Sequence, residues 1–460
     1  MSSSQRLRVF AACVAAIVPT GSVLADELAD LKAEIAGMRT EYEARVAALE
    51  ARIADLESAS SITEAIAPPP APSVASVGAT NTAFNPAISV ILTGNYAHLS
   101  EDPESYAIAG FVPAGEEVGP GERGFNVGES EITLSANVDP YFMGSLTAAL
   151  GAEGDFEIEE AWLRTLALPS GLSLKAGRFF SGIAYLNEVH AHAWDFIDQP
   201  LVYQAMFGGQ FAQDGVQVKW IAPTDVYLEF GLEAGNGGAF PGTRRNVNDA
   251  NDITLFAHLG SDIGDDWTWR GGVSYMDVDA SERSYDSTDS LGFDVLNTFS
   301  GTSRTWIADA TFKWTAPADP KRRSLKLQAE YMQRSEEGQL AYDVEGLGLS
   351  DSYDSDQSGW YVQAVYQFLP RWRAGLRYDS LDAGTTDIGL VNSGVLSPED
   401  FALLRPAFPE RTSVMLDFSL SEFSRLRAQY ALDDARDSST DEQFFLQYIL
   451  SLGAHGAHRF

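Results

Sequence analysis

Cysteine is nearly missing from the chain, since Cys13 is the only one among 460 residues. It falls inside residues 1–25, which we predict to be a secretory signal peptide. In that segment Arg6 and Arg8 precede a short apolar run that ends at small residues before Asp26. The predicted mature chain therefore has no disulfide framework and no thiol nucleophile.

Long hydrophobic runs and basic residues are also scarce. No later stretch approaches the roughly 18–20 consecutive apolar residues that a membrane-spanning helix needs. The chain has 31 Lys and Arg against 65 Asp and Glu, a formal net charge of −34. Such a surface repels nucleic-acid phosphates, so we expect no nucleic-acid partner. Aromatic residues, at 11%, and 40 glycines are plentiful by contrast, and this composition indicates an exported β-rich protein.

Residues 26–58 carry a heptad pattern. Apolar residues recur at steps of three and four from Leu28 to Leu56, which predicts an α-helix with a coiled-coil seam. The alternative is an amphipathic helix that folds onto its own domain. A linker rich in Pro, Ala and Ser follows at 59–83 and should be extended. We therefore favour a periplasmic coiled coil, formed with identical chains in a homotrimer.

From residue 84 to residue 460 the hydrophobic period is two. In the stretch RTWIADATFKW, for example, Trp306, Phe312 and Trp314 fall on one face and Asp309 and Lys313 on the other. This pattern predicts β-strands. A soluble β-sandwich would alternate in the same way, but it would bury the apolar face.

The arrangement of turns favours a membrane barrel. Short turns alternate with long acidic or Gly-rich stretches, which we predict to be loops at 101–123, 181–209, 236–251, 280–303, 335–357 and 381–409. Short turns at one rim and long loops at the other are typical of outer-membrane β-barrels. The predicted fold is thus all-β and transmembrane, an antiparallel barrel of about sixteen strands.

Aromatic residues support this interpretation. On the predicted parity, a set of them faces outward beside short turns: Trp220, Trp267, Trp314, Phe368, Trp372 and Phe423. Such a row is typical of a girdle at a membrane interface, where an amphipathic ring is favoured. We therefore expect contact with outer-membrane lipid and lipopolysaccharide.

The end of the chain fits the same fold. Phe444, Leu446 and Tyr448 take alternate positions in a final strand, and the last residue is Phe460. This strand should close the barrel against the first strand, because an open edge in lipid leaves backbone groups without partners. A terminal aromatic residue is also the feature associated with recognition by the barrel-assembly machinery.

One stretch resembles the phosphate-selective porin O and P family. The acidic pair Glu159–Glu160 is followed by Ala161 and Trp162, then a short turn, and then Gly177, Arg178 and Phe179. The later DGVQVKW and YLEFGLEAGNG segments are similar to that family's next hairpin. The resemblance implies a sixteen-stranded trimeric porin whose third extracellular loop folds into the pore.

The whole barrel also resembles an uncharacterised proteobacterial family that carries the phrases FNPAISVILTGNY, YLNEVHAHAWDF and SLGAHGAHRF. Its members are sometimes labelled zinc-regulated TonB-dependent outer-membrane receptors. Such receptors have a globular plug before a barrel of about 22 strands, whereas a helix and a Pro-rich linker precede residue 84 here.

The stretch NEVHAHAWDF is the sharpest local feature. The predicted constriction loop carries five ionisable residues, namely Glu188, His190, His192, Asp195 and Asp198. An H-x-H pair in an extended segment points both rings to one side, where the three carboxylates could complete a zinc or copper site. The alternative is that both histidines anchor a pore loop. We favour the latter, with no cofactor and no tight zinc binding. His455 and His458 are three residues apart, a spacing that does not favour a shared metal.

Basic residues predict the character of the inner wall. We expect eight of them to line the pore: Arg270, Lys313, Lys326, Arg371, Arg373, Arg377, Arg425 and Arg427. The carboxylates of loop 181–200 would face them across a constriction. The alternative is that internal salt bridges with Glu330, Asp379 and Asp417 plug the lumen.

No serine or threonine stands out as a nucleophile beside the acids and histidines, so we expect no enzymatic activity. The function that the sequence favours is a porin-like channel for small hydrophilic solutes or ions. A specific receptor or uptake barrel for a metal or another nutrient is the alternative.

Overall fold

The computed structural model describes residues 86–114, 118–151, 154, 156–243, 246–317, 322–437 and 439–453. The predicted signal peptide (1–25), coiled-coil helix (26–58) and linker (59–83) lie outside these residues. So do His455, His458 and Phe460. The structural description therefore concerns the predicted barrel.

Strands make up most of the described residues. In chain order they are β1 (Ala87–Leu99), β2 (Gly124–Asn126), β3 (Ser130–Asn137), β4 (Phe142–Leu150), β5 (Phe156–Thr165), β6 (Leu172–Phe180), β7 (Ala212–Ile221), β8 (Tyr227–Gly235), β9 (Asp252–Ile263), β10 (Trp267–Thr288), β11 (Asp294–Thr315), β12 (Ser324–Tyr342), β13 (Leu349–Leu369), β14 (Trp372–Ile388), β15 (Glu410–Ser421), β16 (Ser424–Asp434) and β17 (Asp441–Gly453).

Helical segments are short. The two α-helices are α1 (Leu201–Phe207) and α2 (Gly389–Asn392), and 3₁₀ turns occur at Pro103–Ser105, Pro169–Gly171, Leu186–Glu188, Ala191–Ala193 and Pro398–Leu404. Among the described residues, no helix has the length and apolar character needed to cross a membrane.

The strands form one closed antiparallel sheet. From β3 onward each strand pairs with its successor, and β17 pairs with β1 from Ser89↔Gly453 to Leu99↔Gln443. The short strand β2 pairs with the C-terminal part of β1 at residues 95–97, and β3 pairs with its N-terminal part at residues 87–91. With β2 and β3 sharing one place, the described residues give sixteen strand positions. This confirms the predicted strand number and the predicted closure by the last strand.

The two rims of the barrel differ in the length of their connections. At one rim the turns are short, at 138–141, 166–171, 222–226, 264–266, 370–371 and 422–423, while 316–323 is slightly longer. At the other rim the connections include 100–123, 181–211, 236–251 and 389–409. The alternation of short turns and long loops is therefore as predicted.

Three of the predicted loops are partly wrong. The segments 280–303 and 335–357 are mostly strand, because the β10–β11 and β12–β13 hairpins turn only at 289–293 and 343–348, and β14 runs on to Ile388. These segments are rich in acidic residues, Ser and Gly, so their composition imitates a loop. The alternation nevertheless continues, with the polar side chains outside.

The outer surface changes character at one height. A row of exposed or half-buried aromatic residues crosses β10–β13 at Tyr275, Trp306, Tyr331 and Trp360, and these pair as Tyr275↔Trp306 and Tyr331↔Trp360. We call the part of the barrel between this row and the short turns the belt. The parts of β10–β13 on the loop side of the row (276–288, 294–305, 332–342 and 349–359) are called the extension.

The belt is apolar on the outside. Val273, Trp306, Val362 and Leu446 are each at least 40% exposed there. Trp220, Trp267, Trp314 and Trp372 lie at the short-turn ends of their strands, as predicted. Since inward neighbours such as Gln363 and Gln447 are polar and buried, the belt is apolar outside and polar inside.

Candidate functional site: a charged chamber floored by an in-folded loop

The segment 181–211 connects β6 to β7 and folds into the barrel. All seven residues of its helix α1 are buried. The backbone N–H of Leu201 donates to Asp379 Oδ1 at 3.0 Å, and the Tyr203 hydroxyl donates to Glu330 Oε2 at 2.6 Å. Because Asp379 lies on β14 and Glu330 on β12, the loop is hydrogen-bonded to the inner wall.

Apolar packing fixes the helix end of this loop. Leu201, Val202, Tyr203 and Met206 are fully buried against inward side chains of β10–β14. The wall contributes Met276, Val278, Ile307, Met332, Tyr361, Leu381 and Ala383. A continuous hydrophobic core therefore fills the lumen beside these strands.

Ion pairs fix the preceding segment. Asp195 Oδ2 lies 2.5 Å from Lys326 Nζ, and its Oδ1 lies 3.0 Å from an Arg373 nitrogen. Arg373 also contacts Asp417, which accepts a hydrogen bond from Arg427 Nε at 2.8 Å. Asp195 is thus held by a network of charges on β12, β14, β15 and β16.

Asp198 makes a second ionic anchor. It lies 3.0 Å from Arg377 and 2.8 Å from Arg411, both of which are buried. Burial by itself would raise the pKa of Asp198, but the two guanidinium groups lower that pKa to about 2. Asp198 therefore remains ionised at any ordinary pH, and the anchor persists.

The predicted pore-lining residues fall into two groups. Arg270, Lys313, Lys326, Arg371, Arg373 and Arg425 line an open chamber. Arg377 and Arg427 also point inward but are buried, with their guanidinium groups on Asp198, Asp379 and Asp417. Whether the first group lines a conducting path stays a prediction.

We expected from the sequence that the loop carboxylates would face the basic residues across a constriction. The structure shows no such gap at Asp195 and Asp198. Both carboxylates contact the basic residues directly, while Glu188 pairs with Lys219 at 2.8 Å. The internal salt bridges considered as the alternative are therefore present at Asp379 and Asp417. Glu330 instead accepts hydrogen bonds from Tyr203 and from the Leu186 N–H.

His190 precedes the 3₁₀ turn Ala191–Ala193 and His192 lies within it, and their rings stack with centroids 5.9 Å apart. The carboxylates expected to join them, Glu188, Asp195 and Asp198, instead form ion pairs with basic residues of the barrel wall. Three other acidic residues of the wall contact the histidines.

The wall carboxylates that meet the histidines are Glu131 of β3 and Glu159 and Glu160 of β5. His190 Nδ1 lies 3.4 Å from both Glu131 Oε2 and Glu159 Oε2. Burial would lower the pKa of His190, but contacts with Glu159, Glu160 and Glu131 raise it well above its usual value. This part of the loop is therefore fixed by a histidine–carboxylate cluster.

Two important residues escaped the sequence analysis. Glu131 and Arg411 point inward, and strand parity alone could have indicated both. Glu159 could not have been assigned in this way, because it is the extra residue of a β-bulge. Thr147 pairs with Glu160 and Ala148 with Ile158, which leaves Glu159 unpaired between them.

The chamber lies between the in-folded loop and the short-turn rim. It has a volume of about 2270 Å³. Cationic side chains on its wall include Lys326, Arg373 and Arg425, and carboxylates include Glu131 and Glu160. Loop residues from Tyr185 to Asp195 border it as its floor. Positive and negative groups therefore line different parts of one polar chamber.

No protein-family model matches the chain. An uncharacterised protein of Aquifex aeolicus (strain VF5) is 30% identical to it over 357 residues, which cover 74% of this chain and 71% of that protein. Among solved structures, the outer membrane channel DcaP of Acinetobacter baumannii is 13% identical, with 80% of this chain and 97% of that chain covered and a TM-score of 0.46. The anion-selective porin from Comamonas acidovorans is 8% identical, with coverage of 80% and 99% and a TM-score of 0.48. With TM-scores this low, these likenesses do not assign a function.

Proposed function

The chain belongs to the same family as the Aquifex aeolicus protein, and we propose that it is a porin-like outer-membrane channel through which small hydrophilic solutes or ions diffuse. One observation carries the proposal. A closed barrel has an apolar belt on its outside and a charged chamber inside it.

The belt supports the membrane location. Its outer side chains include exposed Leu255, Val273 and Val362, and aromatic residues lie at both edges. Trp306 and Trp314 on β11 are eight residues apart, which corresponds to about 26 Å along the strand and about 20 Å along the axis of a tilted barrel. That height suits the hydrocarbon core of a bilayer. The belt would then contact lipid, and lipopolysaccharide in the outer leaflet. The long-loop rim would then lie at the cell surface.

The chamber supports the solute class. Its walls carry fixed charges of both signs, and a lumen of this kind holds water and admits polar molecules. Lys326, Arg373 and Arg425 form its cationic side. Since these groups are only partly exposed to bulk solvent, salt screens them less than it screens the outer loops. They would therefore set the ion preference.

The in-folded loop supports a small conductance. Its residues floor the chamber, and α1 fills the lumen beside β10–β14. Any solute must pass this loop, so the loop would limit the rate. Arg377, Arg411 and Arg427 would act by holding it in position.

The remaining parts of the proposal rest on the sequence. The heptad seam of residues 26–58 supports a periplasmic coiled coil and a homotrimer. Deleting residues 26–58 should weaken the oligomer on gels run without boiling, and crosslinking that gives only monomers of the intact protein would contradict a trimer.

Planar-bilayer recording of the purified mature protein tests conduction. We expect stepwise currents of small amplitude, and larger steps when residues 186–207 are replaced by a short Gly–Ser linker. If neither protein conducts, the proposal is wrong. If only the shortened protein conducts, the intact loop seals the barrel, and the receptor or uptake function becomes the better interpretation.

Ion preference gives a second test. Replacing Lys326 and Arg373 with glutamine should shift the zero-current potential under a KCl gradient toward cations, because the cationic side of the chamber loses two charges. Arg304→Gln is the matched control, since Arg304 lies exposed on the outer face of β11. An unchanged potential in the double variant would place these side chains off the conducting path.

A further inference from the structure

The histidine–carboxylate cluster has the donor set of a metal site. Glu131, Glu159 and His190 each offer one ligand atom, and these atoms lie within 4.8 Å of one another. Among the described residues, no other group of three or more such side chains meets this condition. The three residues come from β3, from β5 and from the in-folded loop, so the barrel fold brings them together.

The distances fit a coordinated ion better than they fit hydrogen bonds. His190 Nδ1 lies 3.4 Å from Glu131 Oε2 and 3.4 Å from Glu159 Oε2. A tetrahedral site with metal–ligand bonds of about 2.1 Å has ligand atoms about 3.4 Å apart. Hydrogen bonds from a ring nitrogen to a carboxylate are usually shorter, at about 2.7–3.2 Å. Within the described residues, neither His190 Nδ1 nor Glu159 Oε2 has a hydrogen-bond partner, and both atoms are buried.

The second ring nitrogen already has an orienting partner. His190 Nε2 lies 3.2 Å from Glu160 Oε2. When Nε2 carries the proton and donates to Glu160, the lone pair of Nδ1 faces two carboxylates, and a metal ion bound there would take the place of the second ring proton. Metal-ligating histidines generally donate their other N–H to a carboxylate, a backbone carbonyl or water.

Glu131 is oriented in the same manner. Its second oxygen, Oε1, lies 2.7 Å from His192 Nδ1. A donated N–H from His192 would hold the carboxylate with Oε2 turned toward His190. From the sequence alone, we favour loop anchoring without tight zinc binding for His190 and His192. The structure adds two groups that would orient metal ligands, Glu160 beside His190 and His192 beside Glu131.

The backbone of β5 is adapted at this position. Without the bulge, Glu159 and Glu160 would point to opposite faces of the strand. The bulge turns both toward the lumen, although one unpaired residue interrupts the ladder with β4. Bulges often re-aim a side chain beside a functional site.

We propose that Glu131, Glu159 and His190 bind a first-row divalent transition-metal ion at the floor of the chamber, with water in the fourth position. An imidazole with two carboxylates suits zinc, cobalt or nickel, whereas magnesium and calcium prefer oxygen ligands alone. Since the ligands lie on the wall and on the loop, the ion clamps the loop to β3 and β5. The site does not depend on the conduction proposed above, so either proposal can fail without the other.

Equilibrium dialysis of the full mature protein, purified in detergent without a histidine tag, tests the site with zinc alone. We expect one zinc ion per chain and no competition from excess magnesium. Cobalt in place of zinc should give the strong visible absorption of a tetrahedral complex. Absence of stoichiometric zinc, or a weak octahedral cobalt spectrum, overturns the proposal.

Variants locate the ion. His190→Gln and Glu159→Gln should abolish stoichiometric binding, and Glu160→Gln should weaken it roughly 10–100-fold through loss of the orienting carboxylate. Glu157→Gln is the matched control, because Glu157 is an exposed carboxylate on the same strand and lies outside the cluster. It should bind as the parent does.

The histidines near the C-terminus need a separate control. Replacing His455 and His458 together with alanine should leave zinc binding and the cobalt spectrum unchanged. If this double variant loses the ion while His190→Gln retains it, the proposed site is wrong. Zinc should also slow proteolysis of loop 181–211 in the parent and in Glu157→Gln, but not in His190→Gln.

Discussion

The belt and the extension share strands β10–β13 but differ in the polarity of their outer faces. On β13 the outward residues of the belt include Trp360 and Val362, whereas those of the extension include Asp354 and Asp356. The inward residues of the extension include an apolar cluster with Phe299, Leu340 and Tyr353, beside a buried ion pair between Arg283 and Glu336. The strand period of two does not change at the boundary.

The difference shows what decides the polarity of a face. The outward residues of a strand are apolar where water would be missing and polar where they meet water. In the belt, lipid would lie outside and the charged chamber lies inside. In the extension the outside meets water, and the inside packs against loop 389–409 through Phe299, Leu340, Tyr353 and Phe401. In the proposed membrane location the barrel would therefore meet lipid over one part of its height, and over the other part it has the polar outer surface of a soluble protein.

The largest effect should come from the interior of the extension. Phe299→Ala removes a ring that is 1% exposed and packed on Tyr353 at a centroid distance of 5.3 Å. We expect the free energy of unfolding to fall by about 3–5 kcal/mol, measured by urea titration in lipid vesicles. Thr298→Ala, one residue earlier on the other face, should change it little. Equal effects of both variants would show that the extension has no packed core.

A charge on the lipid-facing side should have the next largest effect. Val362→Arg places a guanidinium group at an exposed position of the belt, two residues from Trp360. We expect a loss of about 1–3 kcal/mol, because the cost of about 2–4 kcal/mol at the bilayer midplane falls toward the interfaces. Asp354→Arg on the same face of the same strand lies in the extension and should change stability by less than about 0.5 kcal/mol. Similar losses in the same titration would contradict a membrane boundary between the two positions.

The same difference between the belt and the extension explains which strand segments could be predicted from the sequence. The belt strands were predictable because their outward residues are apolar and alternate with polar inward ones, as at Phe444, Leu446 and Tyr448 of β17. The strands of the extension were not predicted, because their outward residues are largely Ser, Asp and Glu, which is the composition of a loop. Their alternation was still readable from Tyr285, Val295, Phe299, Leu340 and Tyr353, which are all buried inside.

The site was predictable to a smaller extent. Parity correctly turned Arg373, Arg377 and Arg427 inward, because each strand is regular there. It could not pair Asp195 with Arg373 or Asp198 with Arg377, since those contacts depend on the path of loop 181–211. Strand parity also could not place Glu159 beside His190, because that contact requires a β-bulge that the local residue types do not predict.

Aromatic residues at the boundary should contribute moderately. Tyr275 and Trp306 pair across β10 and β11 with ring centroids 4.7 Å apart. A double-mutant cycle with Tyr275→Ala and Trp306→Ala should give an interaction of about 0.5–1.5 kcal/mol. A coupling of zero would mean that the two rings anchor to the membrane interface independently of each other.

The smallest effect should come from ion pairs on the outside of the extension. Arg304 lies 3.5 Å from Asp277 and 3.8 Å from Glu337, and all three side chains are at least 40% exposed. Arg304→Gln should therefore cost only about 0–1 kcal/mol, and the difference should shrink as salt is raised, because exposed charges are solvated and screened. The contrast is with Arg427, whose pair with Asp417 is buried within the belt. There the lost partner leaves a carboxylate away from water, so Arg427→Gln should cost several-fold more and should not depend on salt. If Arg304→Gln proved as costly as Arg427→Gln at high salt, water would not surround the extension, and the boundary drawn at Trp306 would be wrong.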